Sequence, residues 1–166
     1  NDGFVYLDKT PLIWKMVNEG CYYFLSRPRR FGKSLLMSTI QAFFEGKKHL
    51  FDGTVGAPLF IATDESVDWN WESYPIMHLD LNTQKYDCHE ALENMLDEFL
   101  CYQESLYGKR EVERGFGMRF QGVLDRAYKQ TGKRVVILID EYDKPMLQAI
   151  GDSVLQDEFR NTLKAF

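Results

Sequence analysis

The sequence predicts an α/β fold, a mainly parallel sheet flanked by helices, on three observations. Tyr22-Tyr23-Phe24-Leu25 is short, aromatic-rich and bounded by loop residues, the pattern of a buried strand. Val135-Val136-Ile137-Leu138-Ile139 is a continuous apolar, β-branched run, as expected of a strand covered on both faces in a parallel sheet. Between and around these runs lie segments with helical periodicity. The 166 residues suffice for one domain with a real core, and we expect a single domain over 1–166.

In chain order, Val5-Tyr6-Leu7 reads as a short strand or docking segment. Thr10-Pro11 reads as an N-cap followed by proline at the first helical position. Leu12, Ile13, Met16 and Val17 form one helical face, and Gly20 ends that helix. After the Tyr22 strand and a basic loop, a helix buries Leu36, Ile40, Phe43 and Phe44 and stops at Gly46. Residues 46–75 are the least regular part, with Trp69 and Trp71 as anchors of a long connection. Ile76 to Leu81 reads as a second strand. Asp87 and Glu90 have capping-box spacing and open a helix with Leu92, Met95, Leu96, Phe99 and Leu106 on its face. Gly108 is a hinge before a helix carrying Phe120, Val123, Leu124, Ala127 and Tyr128, closed by Thr131-Gly132. Ser153 and Gln156 have capping-box spacing for a last helix with the stripe Leu155, Phe159, Leu163 and Phe166.

Two stretches carry chemistry. The first is Arg27-Pro28-Arg29-Arg30-Phe31-Gly32-Lys33-Ser34-Leu35, between the Tyr22 strand and a helix. Strand, loop, Gly-Lys-Ser and helix is the context of a phosphate-binding P-loop, because the helix N-terminus presents N–H groups and partial positive charge to a phosphate. We take all nine residues as the nucleotide-binding loop. The first glycine of the G-x-x-x-x-G-K-[ST] pattern is replaced by Arg27. Arg29 and Arg30 either contact phosphates or a neighbouring subunit's nucleotide, or pair with acids near the loop.

The second stretch is Asp140-Glu141 at the end of the Val135 strand, the form of a Walker B motif. Mg²⁺ is a hard cation that takes oxygen ligands. Ser34 can offer it a hydroxyl, and Asp140 can hold it directly or through water. Glu141 can orient or deprotonate the attacking water. Lys33 can reach the β- and γ-phosphates and offset charge in the transition state. ATP and Mg²⁺ are therefore the expected cofactors, and ATP hydrolysis the expected reaction.

Other readings fail on spacing. Asp140-Glu141-Tyr142-Asp143 fits the D-E-x-D of a helicase, but the loop lacks the helicase-type glycine and threonine pattern. A GTPase would place glycine where Asp143 stands. Gly115-Phe116-Gly117 is half of a dinucleotide fingerprint, but it does not follow a strand. Asp87, His89 and Glu90 cluster at a helix start, where caps and solvated groups explain them better than metal ligation. Asp80 could approach the site from the second strand, although a turn role explains it as well.

The net charge of −5 argues against a broad nucleic-acid-binding face, while leaving room for a local basic patch at the loop. Three cysteines without C-x-x-C spacing fit a reduced, cytoplasmic protein. No apolar run reaches the roughly 18 residues of a membrane span.

The stretches YLDKT (Tyr6–Thr10), YYFLSRPRRFGKSL (Tyr22–Leu35), AFFEGKKHLF (Ala42–Phe51), YPIMHLDL (Tyr74–Leu81) and VVILIDEYDKPML (Val135–Leu147) resemble the AAA-ATPase-like family of prokaryotic proteins. The resemblance spans nearly the whole chain. It implies a P-loop ATPase domain in which RPRRFGKS is the usual loop, so that Arg27 belongs to the family's own variant. It also implies, in full-length members, a following domain resembling PD-(D/E)XK nucleases. By the same resemblance one more strand, following Walker B in sequence, would lie between the P-loop strand and the Walker B strand. The absence of an initiator Met and the apolar pattern at Phe166 suggest a chain truncated at both ends, with the sheet incomplete at the C-terminus. Three functions follow: an ATP-hydrolysing motor or switch for an attached or partner effector, a non-hydrolysing nucleotide-dependent switch, and the ATPase module of a nuclease-linked system. An oligomer is compatible with each.

Overall fold

A computed structural model describes residues 7–26, 31–53 and 58–166. The chain divides into two compact units, one up to Ser73 and one from Tyr74 to Phe166.

The first unit is helical. It contains α1 (Thr10–Glu19), α2 (Lys33–Phe44), a 3-10 turn (Lys48–Leu50) and the one-turn α3 (Phe60–Thr63). Asp8 organises its start. Its Oδ1 accepts hydrogen bonds from Thr10 N (2.8 Å) and Thr10 Oγ1 (2.7 Å), and its Oδ2 accepts from Phe60 N (2.8 Å) at the head of α3. Thr10 is thus the first helical residue, not the N-cap the sequence suggests. Its buried hydroxyl accepts instead from Ile61 N at 3.1 Å, joining α1 to α3. Ile40 and Phe43 are the buried residues of α2, while Leu36 and Phe44 are half-buried. Phe43 stacks on Trp69 at 4.5 Å between ring centroids and meets Phe51 and Trp71 edge-on. Both tryptophans therefore anchor the irregular connection. Gly46 allows this packing: a Cβ there would sit 2.3 Å from Trp71 O.

The expected strand at Tyr22 to Leu25 does not form. Tyr22 is 97% exposed and Phe24 71%. Tyr23 Oη donates to Met16 O at 2.7 Å, its phenol end lying over the bare Cα of Gly20. An apolar run becomes a strand only when its backbone finds a ladder. Among the described residues the sheet has two strands, and neither pairs with this run.

The second unit carries that sheet. β1 (Ile76–Asp80) and β2 (Val136–Asp140) pair in parallel, with Ile76 opposite Val136 and Asp80 opposite Asp140. α4 (His89–Tyr107) and α5 (Phe116–Thr131) connect them, followed by α6 (Lys144–Gln148) and α7 (Ser153–Ala165). The core joins Met77 and Leu79 of β1 to Leu92, Leu96 and Leu100 of α4, Val123 and Ala127 of α5, and Phe159 of α7. The architecture is thus mixed α/β with a small parallel sheet, as the alternation of elements predicts. Leu106 and Tyr128 are exposed, not part of the expected faces, and Leu100 is buried in their place. The expectation that β2 is covered on both faces is corrected as well: Ile137 and Ile139 are each more than 40% exposed.

Two caps differ from expectation by one residue. At α4 the cap position is Cys88, without a side-chain bond, and Asp87 pairs with Lys85 at 2.9 Å. At α7 the cap is Asp152, whose Oδ1 accepts from Val154 N (3.1 Å) and Leu155 N (3.0 Å). Asp152, itself a favoured cap residue one position upstream, takes the role from Ser153.

Candidate nucleotide site

The predicted phosphate-binding residues of the first unit lie at the start of α2. Gly32 precedes the helix with φ 76° and ψ 24°, a left-handed conformation glycine adopts without strain. A Cβ there would meet no atom within 4 Å, so only the backbone angle demands glycine. Lys33 and Ser34 follow as the first two helical residues, with Ser34 and Leu35 exposed. Among the described residues, the first turn carries neither a side-chain cap nor an acidic residue. Helices ordinarily cap their first N–H groups with a side-chain oxygen. An uncapped, acid-free N-terminus led by a lysine fits a phosphate. Phe31, just before it, is exposed. Arg27, Pro28, Arg29 and Arg30 lie outside the described residues.

The predicted acids, Asp140 and Glu141, lie in the second unit, at the carboxyl end of β2. Asp140 is 9% exposed, and its Oδ1 accepts from Glu141 N at 2.9 Å. Its backbone oxygen accepts from Leu81 N at 3.1 Å, extending the ladder past both acids. Glu141 adopts φ 51°, the left-handed region, which is uncommon for a side-chain-bearing residue. The turn is closed by Lys144 N donating to Glu141 O at 2.9 Å. Lys144 Nζ reaches across to donate to Asn82 O (2.7 Å) and Asn82 Oδ1 (3.1 Å), binding the turn after β2 to the turn after β1.

Asp80 fills the turn role the sequence suggests: its Oδ1 accepts from Asn82 N at 2.8 Å. The register also brings it beside Asp140, which spacing along the chain does not reveal. Sequence reasoning missed Lys144 as well; its only signal is its place four residues after Asp140. Among the described residues, no group of three or more His, Cys, Asp and Glu side chains could hold a metal. Asp140 and Ser34 each carry oxygen donors, the ligand type that Mg²⁺ takes. Surface clefts are present in both units. One of about 440 Å³ lies along Pro11, Trp14 and Phe60, the other of about 310 Å³ beside Tyr142, Asp143 and Arg160.

A family model described as "Predicted AAA-ATPase" matches residues 1–166. The chain belongs to this AAA-ATPase-like family. It is also 32% identical over 163 residues to "Uncharacterized protein in vnfD 5'region" of Azotobacter chroococcum mcd 1. That match covers 98% of this chain and 30% of the relative, so the AAA-ATPase-like chain spans under a third of its relative's length. No solved structure matches it significantly. No helix among the described residues is long and apolar enough to cross a membrane.

Proposed function

We propose that the chain binds Mg-ATP and hydrolyses it, as the nucleotide-driven motor or switch of an effector. The observation that carries this is the first turn of α2, which has no cap and no acid and opens on Gly32-Lys33-Ser34. Family membership and the acids closing β2 support it. Lys33 binds the β- and γ-phosphates and offsets the charge that moves on to them in the transition state. The N–H groups at the head of α2 hold phosphate oxygens. Ser34 and Asp140 hold Mg²⁺, which when bound neutralises phosphate charge. Glu141 accepts the proton of the attacking water. Arg27 to Phe31 and Leu35 complete the loop around the nucleotide. Both units fall within the one family match, and we treat 1–166 as a single ATPase domain. Cys21, Cys88 and Cys101 carry free thiols, which fits a cytoplasmic setting.

The test separates binding from turnover. Lys33→Ala should abolish binding of a fluorescent ATP analogue. Glu141→Gln should bind it normally and hydrolyse ATP about 10²-fold more slowly or worse, the usual size of a general-base contribution. Hydrolysis at the wild-type rate in both variants would overturn the reading. Tight binding without turnover in the wild type would mean a regulatory switch instead.

A further inference from the structure

α4 and α5 run in the same direction. Gln130, in the last turn of α5, donates from Nε2 to the oxygen of Tyr107, the last residue of α4, at 3.0 Å, while Phe120 packs on Phe99 nearer their starts. The residues between the helices, 109–114, therefore run back along the pair as a strap. Gly108 (φ 93°) and Gly115 (φ 76°) end it, both at backbone angles that favour glycine. The strap reads Lys-Arg-Glu-Val-Glu-Arg, and its single apolar residue, Val112, is 73% exposed. Apolar burial does not hold it down. Its ties to the helices are ionic: Lys109 Nζ lies 3.7 Å from Glu104 Oε2, and Glu113 Oε1 accepts from Arg126 Nη1. Gly122 makes room for the second tie, since a Cβ there would sit 2.1 Å from Glu113 Oε1.

That second tie is incomplete. The Glu113 and Arg126 side chains are only 10% and 12% exposed, yet Arg126 Nε, Arg126 Nη2 and Glu113 Oε2 have no hydrogen-bond partner among the described residues. Nε and Nη2 form the edge of a guanidinium that grips two oxygens of one anion side by side. Arg119, two turns earlier on α5, shows this edge in use: its Nε and Nη2 donate to the two oxygens of Glu104. On Arg126, Glu113 has taken Nη1 with a single oxygen. Buried donors left unpaired are costly, and an oxyanion would satisfy both at once.

We propose that Arg126 is a binding site for an oxyanion, a phosphate or a carboxylate, and that the 109–114 strap is its latch. At rest Glu113 engages the guanidinium through Nη1 and the strap lies closed. An anion on the Nε and Nη2 edge makes a two-oxygen contact where Glu113 makes one, and competes with it for the same positive charge. Repulsion between the two anions releases the strap, which swings on Gly108 and Gly115. None of these residues belongs to the predicted nucleotide loop or to the Asp140-Glu141 pair.

Limited trypsin digestion of the whole chain tests this, because the strap offers cleavage after Lys109, Arg110 and Arg114, each identified by mass spectrometry. Digestion is compared in sodium chloride, sodium acetate and sodium phosphate at one pH and one ionic strength. In chloride, Glu113→Gln and Arg126→Gln should each speed cleavage in the strap about 10-fold, with a thermal melt confirming that both fold. In the wild type, phosphate or acetate should speed strap cleavage beyond chloride. Acceleration by phosphate alone assigns a phosphoryl ligand, and by acetate alone a carboxylate. Arg126→Gln should lose this response, which separates the site from any effect of the salts on the protease. Wild-type cleavage equal in all three salts would overturn the anion site, and that comparison needs no variant. Strap cleavage as fast in the wild type as in both folded variants, all in chloride, would overturn the latch.

Discussion

At the residue scale, Glu141 is the informative position. A left-handed φ of 51° on a side-chain-bearing residue costs roughly 1–2 kcal/mol, because Cβ crowds the carbonyl oxygen. Such strain is kept where the surroundings over-determine it, and it gathers at functional sites. Here the turn is fixed at both ends, by Asp140 Oδ1 on Glu141 N and by Glu141 O on Lys144 N. Comparing Glu141→Gly with Glu141→Ala isolates the backbone, since both remove the carboxylate and only alanine keeps the Cβ. The glycine variant should be more stable by about 1 kcal/mol, or about 2–4 °C in melting temperature for a chain of this size. Neither should hydrolyse ATP at the wild-type rate. Equal melting temperatures would mean that the backbone at Glu141 carries no strain. The acid itself was legible in the sequence from its place beside Asp140. Its strained backbone was not, because φ depends on how the turn closes three residues later.

At the element scale, two features make predictions. Gly32 opens α2 at φ 76° with open space around it, so Gly32→Ala costs backbone strain without a clash. We expect a loss of about 1 kcal/mol in unfolding free energy and weaker analogue binding, read by denaturant titration and fluorescence. A stability loss several times larger would mean that Gly32 is packed. The α4–α5 pair is held by Arg119, whose Nε and Nη2 donate to Glu104 Oε1 (2.7 Å) and Oε2 (3.0 Å) while Nη1 donates to Asp97. Glu104 is buried, and Arg119→Ala leaves it the longer 3.7 Å contact to Lys109 Nζ, so the loss should cost roughly 3 kcal/mol, visible as a shift in the urea midpoint. Arg119→Lys should recover only part of that, since one ammonium cannot replace the two-pronged contact. The elements themselves were largely readable. α1, α2, α4, α5, α7, β1 and β2 follow from periodicity and from glycine stops such as Gly108 and Gly132, both at positive φ. The misses have physical causes. Tyr22 to Leu25 has strand composition but no ladder to join, and strand formation depends on a partner that local sequence does not name. The caps at Asp152 and Cys88 were misplaced because Ser153 and Asp87 satisfy the same spacing rule one residue away. α6 is a single turn, too short to show a period.

At the scale of the whole molecule, the two units hold their charged groups in different ways, and the pH dependence of stability reports on both. In the first unit, burial pushes the Asp8 carboxyl up, but hydrogen bonds from Phe60 N, Thr10 N and the Thr10 hydroxyl outweigh it and hold it below the usual value. Lys47 and Gln41 do the same for Glu45. In the second unit, the Arg119 guanidinium holds Glu104 low. A carboxyl depressed by folding stabilises the native state above its unfolded value, near 4, and that stability is lost as pH falls through the folded value. Tyr86 has the opposite sign. Burial first, and then Asp80, raise it to about 12 from an unfolded value near 10. Its contribution is complete below pH 10 and is lost as pH rises through 12, because the unfolded chain ionises first. Stability should therefore be flat between about pH 5 and 9 and fall on both sides. Burial raises Tyr107 in the same direction, and the share of Tyr86 can be separated from it, since Tyr86→Phe keeps the ring that meets Phe159 edge-on and removes the ionisable hydroxyl. Urea unfolding from about pH 3 to about pH 11 should show the wild type losing stability above about pH 9 with a slope that Tyr86→Phe reduces, while Asp8→Asn should reduce the acid slope and leave the alkaline side unchanged. An alkaline slope identical in the wild type and Tyr86→Phe would mean that the phenolate escapes the core on ionising.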